Sequence, residues 1–285
     1  MKYYMSLLIL LLGAPLMAQE QMTSHFLTLG HKCEAAEEGP QVSPQSPPLD
    51  VDDPGTPGCN RWEINVLTSG DFTKGERQLE VPLLDMNYGV GDNIQLKYEV
   101  PMEKTQTDTS SHTEVGHSKV GVKYMFFAEE ETDTQMAFYP QLEMVTPGAR
   151  AEDSTEAVSG NVVTLPFLYS RKLGTVAKGD VVMAANIGYN ISSRADTQNS
   201  VFVATGVGMP LTKSLSLMGE VSAEEATAKD SDGVREELVK LNVGAVQTIS
   251  KHFMLYGSVG QSVIASDQQN HLYALAGFKF LAEGL

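Results

Sequence analysis

The chain has 285 residues, with 36 Asp and Glu against 20 Lys and Arg, and a formal net charge of -16. A sequence-independent grip on nucleic acid needs basic side chains to neutralise phosphates, so this balance argues against it. An apolar fraction of 42% with 20% charged residues is enough for an ordered structure. Beyond the N-terminus no apolar run reaches the roughly 18 residues that a membrane-spanning helix needs.

Residues 1–18 begin with Lys2, continue through an apolar stretch at Leu7–Leu12 and end in Leu16-Met17-Ala18, the pattern of a secretory signal peptide. Its removal would leave 19 basic against 36 acidic residues, a net charge of -17. Export would carry Cys33 and Cys59 into a disulfide-permissive compartment, where a bridge would contribute roughly 3.5 kcal/mol by loop-closure arithmetic. The alternative is two free thiols. A metal site at His31 and Cys33 is disfavoured, because no second ligand pair follows at a usable spacing.

Residues 19–60 carry Pro40, Pro44, Pro47, Pro48, Pro54 and Pro57 among Glu, Ser and Gln. Proline removes the donors that a sheet needs, and low hydrophobicity cannot offset ordering entropy. The segment therefore reads as an extended, Pro-rich periplasmic arm or linker.

From Arg61 onward the signal is alternation. Ile94, Leu96, Tyr98, Val100 and Met102 alternate with Gln95, Lys97, Glu99 and Pro101, which places an apolar row on one face of a strand and a charged row on the other. The pattern recurs in Val120–Phe126, Met136–Met144, Val163–Tyr169, Val181–Tyr189, Val201–Val207, Leu215–Val221, Val239–Ala245, Phe253–Val259 and Leu272–Phe280. With a first pair at Trp62–Leu67 and Leu79–Tyr88, the prediction is about 12 strands of the length expected for tilted membrane strands. Leu83-Leu84 interrupts the second and marks a candidate bulge.

Connections alternate in length. Gly89–Asp92, Glu129–Asp133, Leu173–Gly179, Pro210–Lys213 and Ser250–His252 are short. Ser69–Arg77, Glu103–Val115, Thr146–Gly160, Ser192–Asn199, Ala223–Arg235 and Ala265–Asn270 are longer, polar and mostly acidic. Short periplasmic turns, long outer loops and two periplasmic termini are the layout of an outer-membrane barrel. The competing reading is a soluble sandwich or lipocalin-like barrel with its apolar row inward. Against it, Gly121, Gly188, Gly206, Gly208, Gly244, Gly260 and Gly277 fall on the non-aliphatic face, where they are expected to leave room for water or solute inside a wide barrel. Aromatics such as Tyr88, Tyr124, Phe126, Tyr169, Phe278 and Phe280 lie near strand ends, as in interfacial girdles.

The order of several short motifs also resembles a known family. Val51-Asp52-Asp53-Pro54-Gly55-Thr56 precedes Arg61-Trp62-Glu63-Ile64. Met86-Asn87-Tyr88-Gly89-Val90 leads into Asn93-Ile94-Gln95-Leu96 and Val100-Pro101, and Gly121-Val122-Lys123-Tyr124 and Leu211–Leu217 follow. Over about Asp52–Phe280 this is similar to the MetA-pathway-of-phenol-degradation family of outer-membrane proteins. The resemblance implies a channel or transporter for small aromatic or other apolar compounds, inserted by the barrel-assembly machinery, with no catalytic residues. The chain departs from the family at its end, where Leu281–Leu285 follow Phe280.

Ser/His catalysis on a single strand needs both side chains on one face, and the adjacent His117 and Ser118 point to opposite faces. Asp230, Asp232 and Gly233 lack the remaining ligands of an EF-hand and read as a solvated loop. The expectation is therefore an all-β protein, an antiparallel transmembrane β-barrel of about 12 strands in a Gram-negative-type outer membrane. Residues 1–18 would be a signal peptide, 19–60 the arm, 61–280 the barrel and 281–285 a tail. Lys97, Glu99, Lys119, Lys123, Glu143, Asn186, Asn190, Glu220, Lys240 and Asn242 would line the lumen. Outer-membrane lipids and a small-molecule solute are the expected partners, with no cofactor, metal or catalytic residue. A non-conducting structural or surface-interaction barrel is the alternative.

Overall fold

The structure, a computed structural model, describes residues 29, 42–147, 149, 160–194, 197–229 and 233–283. The signal-peptide stretch, Cys33, Asp230 and Asp232 lie outside these residues, as does most of Thr146–Gly160.

Among the described residues fourteen strands form one antiparallel sheet: β1 Arg61–Thr73, β2 Glu76–Val90, β3 Ile94–Thr107, β4 Ser111–Val115, β5 Ser118–Glu129, β6 Thr134–Phe138 and β7 Gln141–Met144 in the first half. The second half holds β8 Val162–Val176, β9 Gly179–Ser192, β10 Ser200–Pro210, β11 Leu215–Ala226, β12 Glu237–Ser250, β13 Phe253–Ala265 and β14 Leu272–Glu283. β4 and β5 are two parts of one wall position, as are β6 and β7, because β3 pairs with both of the former and β8 with both of the latter. β1 pairs with β14, so the sheet closes into a barrel of 12 strand positions. A closed barrel satisfies every ladder group internally, which is what a strand requires in hydrocarbon.

Alternation sets the two surfaces. Val243 is 61% exposed, whereas Asn242 beside it is 8% exposed and Gly244 is buried. Val122, Ile187, Leu217, Val259 and Phe280 likewise point outward. So continuous an apolar exterior would be a severe liability in water and is the expected surface in lipid. Outward aromatics gather at the short-turn end, where the rings of Trp62 and Tyr88 lie 4.7 Å apart and those of Phe253 and Phe278 5.6 Å apart.

Irregularities follow local chemistry. Pro140 has no N–H for the ladder, and the wall breaks there between β6 and β7. Its carbonyl still accepts from Val122 N at 3.1 Å, and Tyr139 N donates to Pro166 O at 3.1 Å, so the seam stays closed. The break expected at Leu83-Leu84 falls just ahead of it, between Glu80 and Leu83, where Val81-Pro82 interrupts pairing with β3.

Four expectations require correction. Ser69–Arg77 and Glu103–Val115 are not loops: β1–β2 and β3–β4 continue as hairpins closed at Lys74-Gly75 and Asp108–Ser110. Gly75 has φ of 93°, which a side chain resists and a tight turn needs. Residues 281–283 are not a free tail, since Leu281, Ala282 and Glu283 pair with Glu63, Trp62 and Arg61. The third correction concerns the arm. Residues 42–58 do not hang beside the barrel; they enter it at the short-turn end, turn at Gln45–Leu49 and leave at the same end. The fourth follows from the third. A barrel expected to be too wide for side chains to fill is filled from within, and the apolar core sits in the lumen, where Leu49 and Val51 pack with Leu67, Leu83, Ala184, Met218 and Val246.

The glycines show how the wall admits this plug. A Cβ on Gly208 would lie 1.9 Å from Val42 O, and one on Gly89 1.7 Å from Gly58 O. Gly206 faces Pro44 and Val51, and Gly244 faces Leu49 and Pro48. The room predicted for water or solute at these positions is taken by the chain's own segment.

Candidate solute-binding lumen

One wall of the lumen carries a belt of alternating charge. Asp85 on β2 and Glu99 on β3 are direct cross-strand partners, a repulsive arrangement unless a cation intervenes. Lys97 supplies it, with Nζ 3.3 Å from Asp85 Oδ1 and 2.7 Å from Glu99 Oε2. Lys119 on β5 continues the belt, 3.4 Å from Glu99 and 3.9 Å from Glu143 on β7. Arg194, in the β9–β10 connection, closes it at 2.7 Å from Glu143.

The plug is held by a repeated device. Lys123 Nζ lies 3.0 Å from Asp52 Oδ1 and 4.8 Å from the centroid of the Tyr139 ring. It also donates to Asp53 O at 2.7 Å and Gly55 O at 3.1 Å. On β12, Lys240 Nζ lies 2.5 Å from Asp50 Oδ2 and 4.9 Å from the centroid of the Tyr273 ring. In each case a wall ammonium meets a plug carboxylate and an aromatic face, a combination strengthened where water is scarce.

Amides complete the grip. Asn186 Oδ1 accepts from Asp52 N at 2.7 Å while its Nδ2 donates to Asp52 O at 2.7 Å. Val51 N donates to Glu220, Asn242 Nδ2 donates to Glu220 Oε1 at 2.7 Å, and Ser258 donates to Pro48 O at 2.7 Å. Asn190 bridges Ser200 and Glu224 nearer the long-loop end. Burial pushes the Asp53 carboxyl up to about 6, against the pull of Lys123.

The sequence-predicted lumen residues thus divide into two sets. Lys97, Glu99, Lys119 and Glu143 interact along the wall, and Asn190 with Ser200 and Glu224. Lys123, Asn186, Glu220, Lys240 and Asn242 engage the plug. Sequence reading missed their partners Asp50, Asp52, Tyr139 and Tyr273; no periodicity links an acidic pair in a Pro-rich segment to strands 71 to 192 residues away. Cys59 is disulfide-bonded, and the one other cysteine of the sequence, Cys33, lies outside the described residues.

Above the plug, toward the long loops, the lumen opens into a cavity of about 850 Å³ floored by Ser46–Asp50. A polar cavity of about 80 Å³ lies on the short-turn side, beside Lys123, Asp53 and Thr56.

No family model matches the sequence, and none of the curated proteins does. Solved structures with the same fold include the COG4313 outer membrane channel from Pseudomonas putida F1, at a TM-score of 0.66 and 13% identity, covering 82% of this chain and 100% of that one. The KdgM porin in complex with disordered oligogalacturonate matches at 0.51 and 10%, covering 76% and 98%. The translocator domain of the autotransporter NalP from Neisseria meningitidis matches at 0.51 and 10%, covering 82% and 91%. At these identities the likeness is one of fold.

Proposed function

We propose that this protein is an outer-membrane channel that passes small solutes and is closed, in the conformation described, by its own residues 42–58. The observation that carries the reading is the pairing of an apolar exterior with a polar, partly hollow lumen inside one closed barrel. Two proteins of similar fold bear the names channel and porin, and the motif order from Asp52 to Phe280 resembles a family of outer-membrane transporters. The solute class implied by that resemblance is small aromatic or apolar compounds.

In this reading the short turns and both termini face the periplasm and the β1–β2 and β3–β4 hairpins project outward. A cysteine introduced at Ser111 should be labelled by an impermeant reagent on intact cells, and one at Thr132 should not; the opposite pattern reverses the orientation.

The plug also favours a second reading, a barrel that never conducts. Planar-bilayer recordings separate the two. Expected for the channel is a small or intermittent wild-type current that becomes large and sustained once the plug is loosened by Asp50→Asn with Asp52→Asn. A folded, inserted variant that stays silent supports the non-conducting barrel.

A further inference from the structure

The cavity above the plug already holds an ammonium group. Lys240 Nζ sits between Asp50 Oδ2, at 2.5 Å, and the face of Tyr273, at 4.9 Å. Asp50 also accepts from Ser222 Oγ at 3.0 Å and Asn242 Nδ2 at 3.4 Å, so its position is set by β11 and β12 together. A carboxylate beside an aromatic face is the pair of groups that selects organic ammonium ions over anions and over neutral compounds. The Asp50 side chain remains 42% exposed and lines the cavity, so this site is open to a cation arriving from the long-loop side.

The surrounding charge has the same sense. Nine carboxylates and five basic side chains line the cavity. Four of the five bases are already committed: Lys97 and Lys119 to the wall belt, Arg194 to Glu143 and Lys240 to Asp50. Among the described residues Glu80, Glu103 and Glu224 pair with no lysine or arginine; Glu80 accepts from Ser69, and Glu224 from Ser200 and Asn190. Low-dielectric walls focus this negative field into the cavity and raise the local concentration of cations. Apolar surface is present too, from Pro47, Pro48 and Leu49 of the plug and from Phe202 and Leu275 of the wall.

We propose that this cavity binds a small organic ammonium ion, an amine with an apolar body, which takes the place of Lys240 on Asp50 and Tyr273. The proposal rests on the channel reading and narrows the small aromatic or apolar solutes named there to those that carry an ammonium group. Displaced Lys240 has a wall carboxylate to turn to. It stands directly opposite Ser222 on β11, and Glu224, two residues further along the same face, lies at a diagonal Cβ separation of roughly 7 Å. The exchange would remove one of the two lysine clasps on the plug, so that occupancy of the cavity loosens the closure beneath it.

Titration calorimetry on the full chain in detergent, with 2-phenylethylammonium as the probe and phenylacetate and 2-phenylethanol as its anionic and neutral counterparts, tests this. The ammonium compound should bind at least tenfold more tightly than either counterpart. Lys240→Gln, which removes the resident competitor, should tighten ammonium binding at least tenfold. Tyr273→Leu in the wild-type background should weaken it at least tenfold, and this second variant decides the matter if Lys240→Gln does not fold. Equal affinity for the three probes, or no response to either variant, overturns the proposal. Because calorimetry needs no current, a conducting protein that ignores the amine would leave the channel reading in place, and a silent protein that binds it would leave only the site.

Discussion

Lys123 on β5 and Asp52 in the plug, 71 residues apart in sequence, meet at 3.0 Å inside the barrel, and the lysine side chain is almost wholly buried there. Ion pairs of this kind cost desolvation when formed, and removing one partner leaves an uncompensated buried charge at a cost of about 3 kcal/mol or more. Here the stranded charge has an escape that a folded core lacks, because the plug can leave the barrel and hydrate Asp52. Lys123→Met is therefore expected to release the plug rather than unfold the barrel. Residues 42–58 should become sensitive to protease and the current should rise, while the barrel keeps its resistance to denaturant. A fall in barrel stability with the plug still protected would contradict this.

A sterically defined pair of variants tests the same closure without touching charge. Gly208→Val places a side chain where Val42 O now lies, a backbone atom that cannot step aside cheaply, so the plug should be displaced. Gly219→Val adds a Cβ that meets nothing within 4 Å and should leave the plug seated. Protease protection of the plug in reconstituted protein is the measurement. Equal protection in both variants would mean that the lumen does not need this clearance.

The two faces of the wall should respond differently to arginine. Val122→Arg or Leu217→Arg, on the outward apolar rows, is expected to destabilise the barrel by about 2 to 4 kcal/mol near the bilayer midplane, read by denaturant titration in liposomes. Gly244→Arg points inward against Leu49 and Pro48, so it should push out the plug tip instead of narrowing an open passage. Comparable stability losses on both faces would remove the membrane assignment of the outer rows.

At the long-loop end His271 is clasped by two carboxylates, with Nδ1 2.9 Å from Asp71 Oδ2 and Nε2 2.9 Å from Asp267 Oδ2. Partial burial pulls its imidazolium down, and the hydrogen bonds and charges of Asp71 and Asp267 outweigh this and raise it above its ordinary 6.5. A raised value means that the clasp is at full strength below pH 6.5 and fades as pH rises past the shifted value. A spin label at Gln269 should be less mobile at about pH 5.5 than at about pH 8.5. His271→Gln should flatten that profile, and a wild-type label indifferent to pH would contradict the clasp.

Much of this molecule is written in local pattern. Strand side chains alternate with a period of two residues, so Leu96 and Val122 declare an outward face, and Lys97 and Lys123 an inward one, before any pairing is known. The closed barrel of 12 strand positions and the inward set follow from that period and from chain order. The occupant of the lumen does not. Residues 42–58 have no period of their own, and their composition describes an unsupported chain equally well. What orders them is tertiary: bare glycine walls at Gly206, Gly208 and Gly244, and two lysines whose carboxylate partners stand on the plug. Those contacts join Asp50 and Asp52 to strands that come together only when β1 meets β14. The same positions read in isolation mark a strand face with room to spare, and closure of the barrel turns that room into a fitted seat.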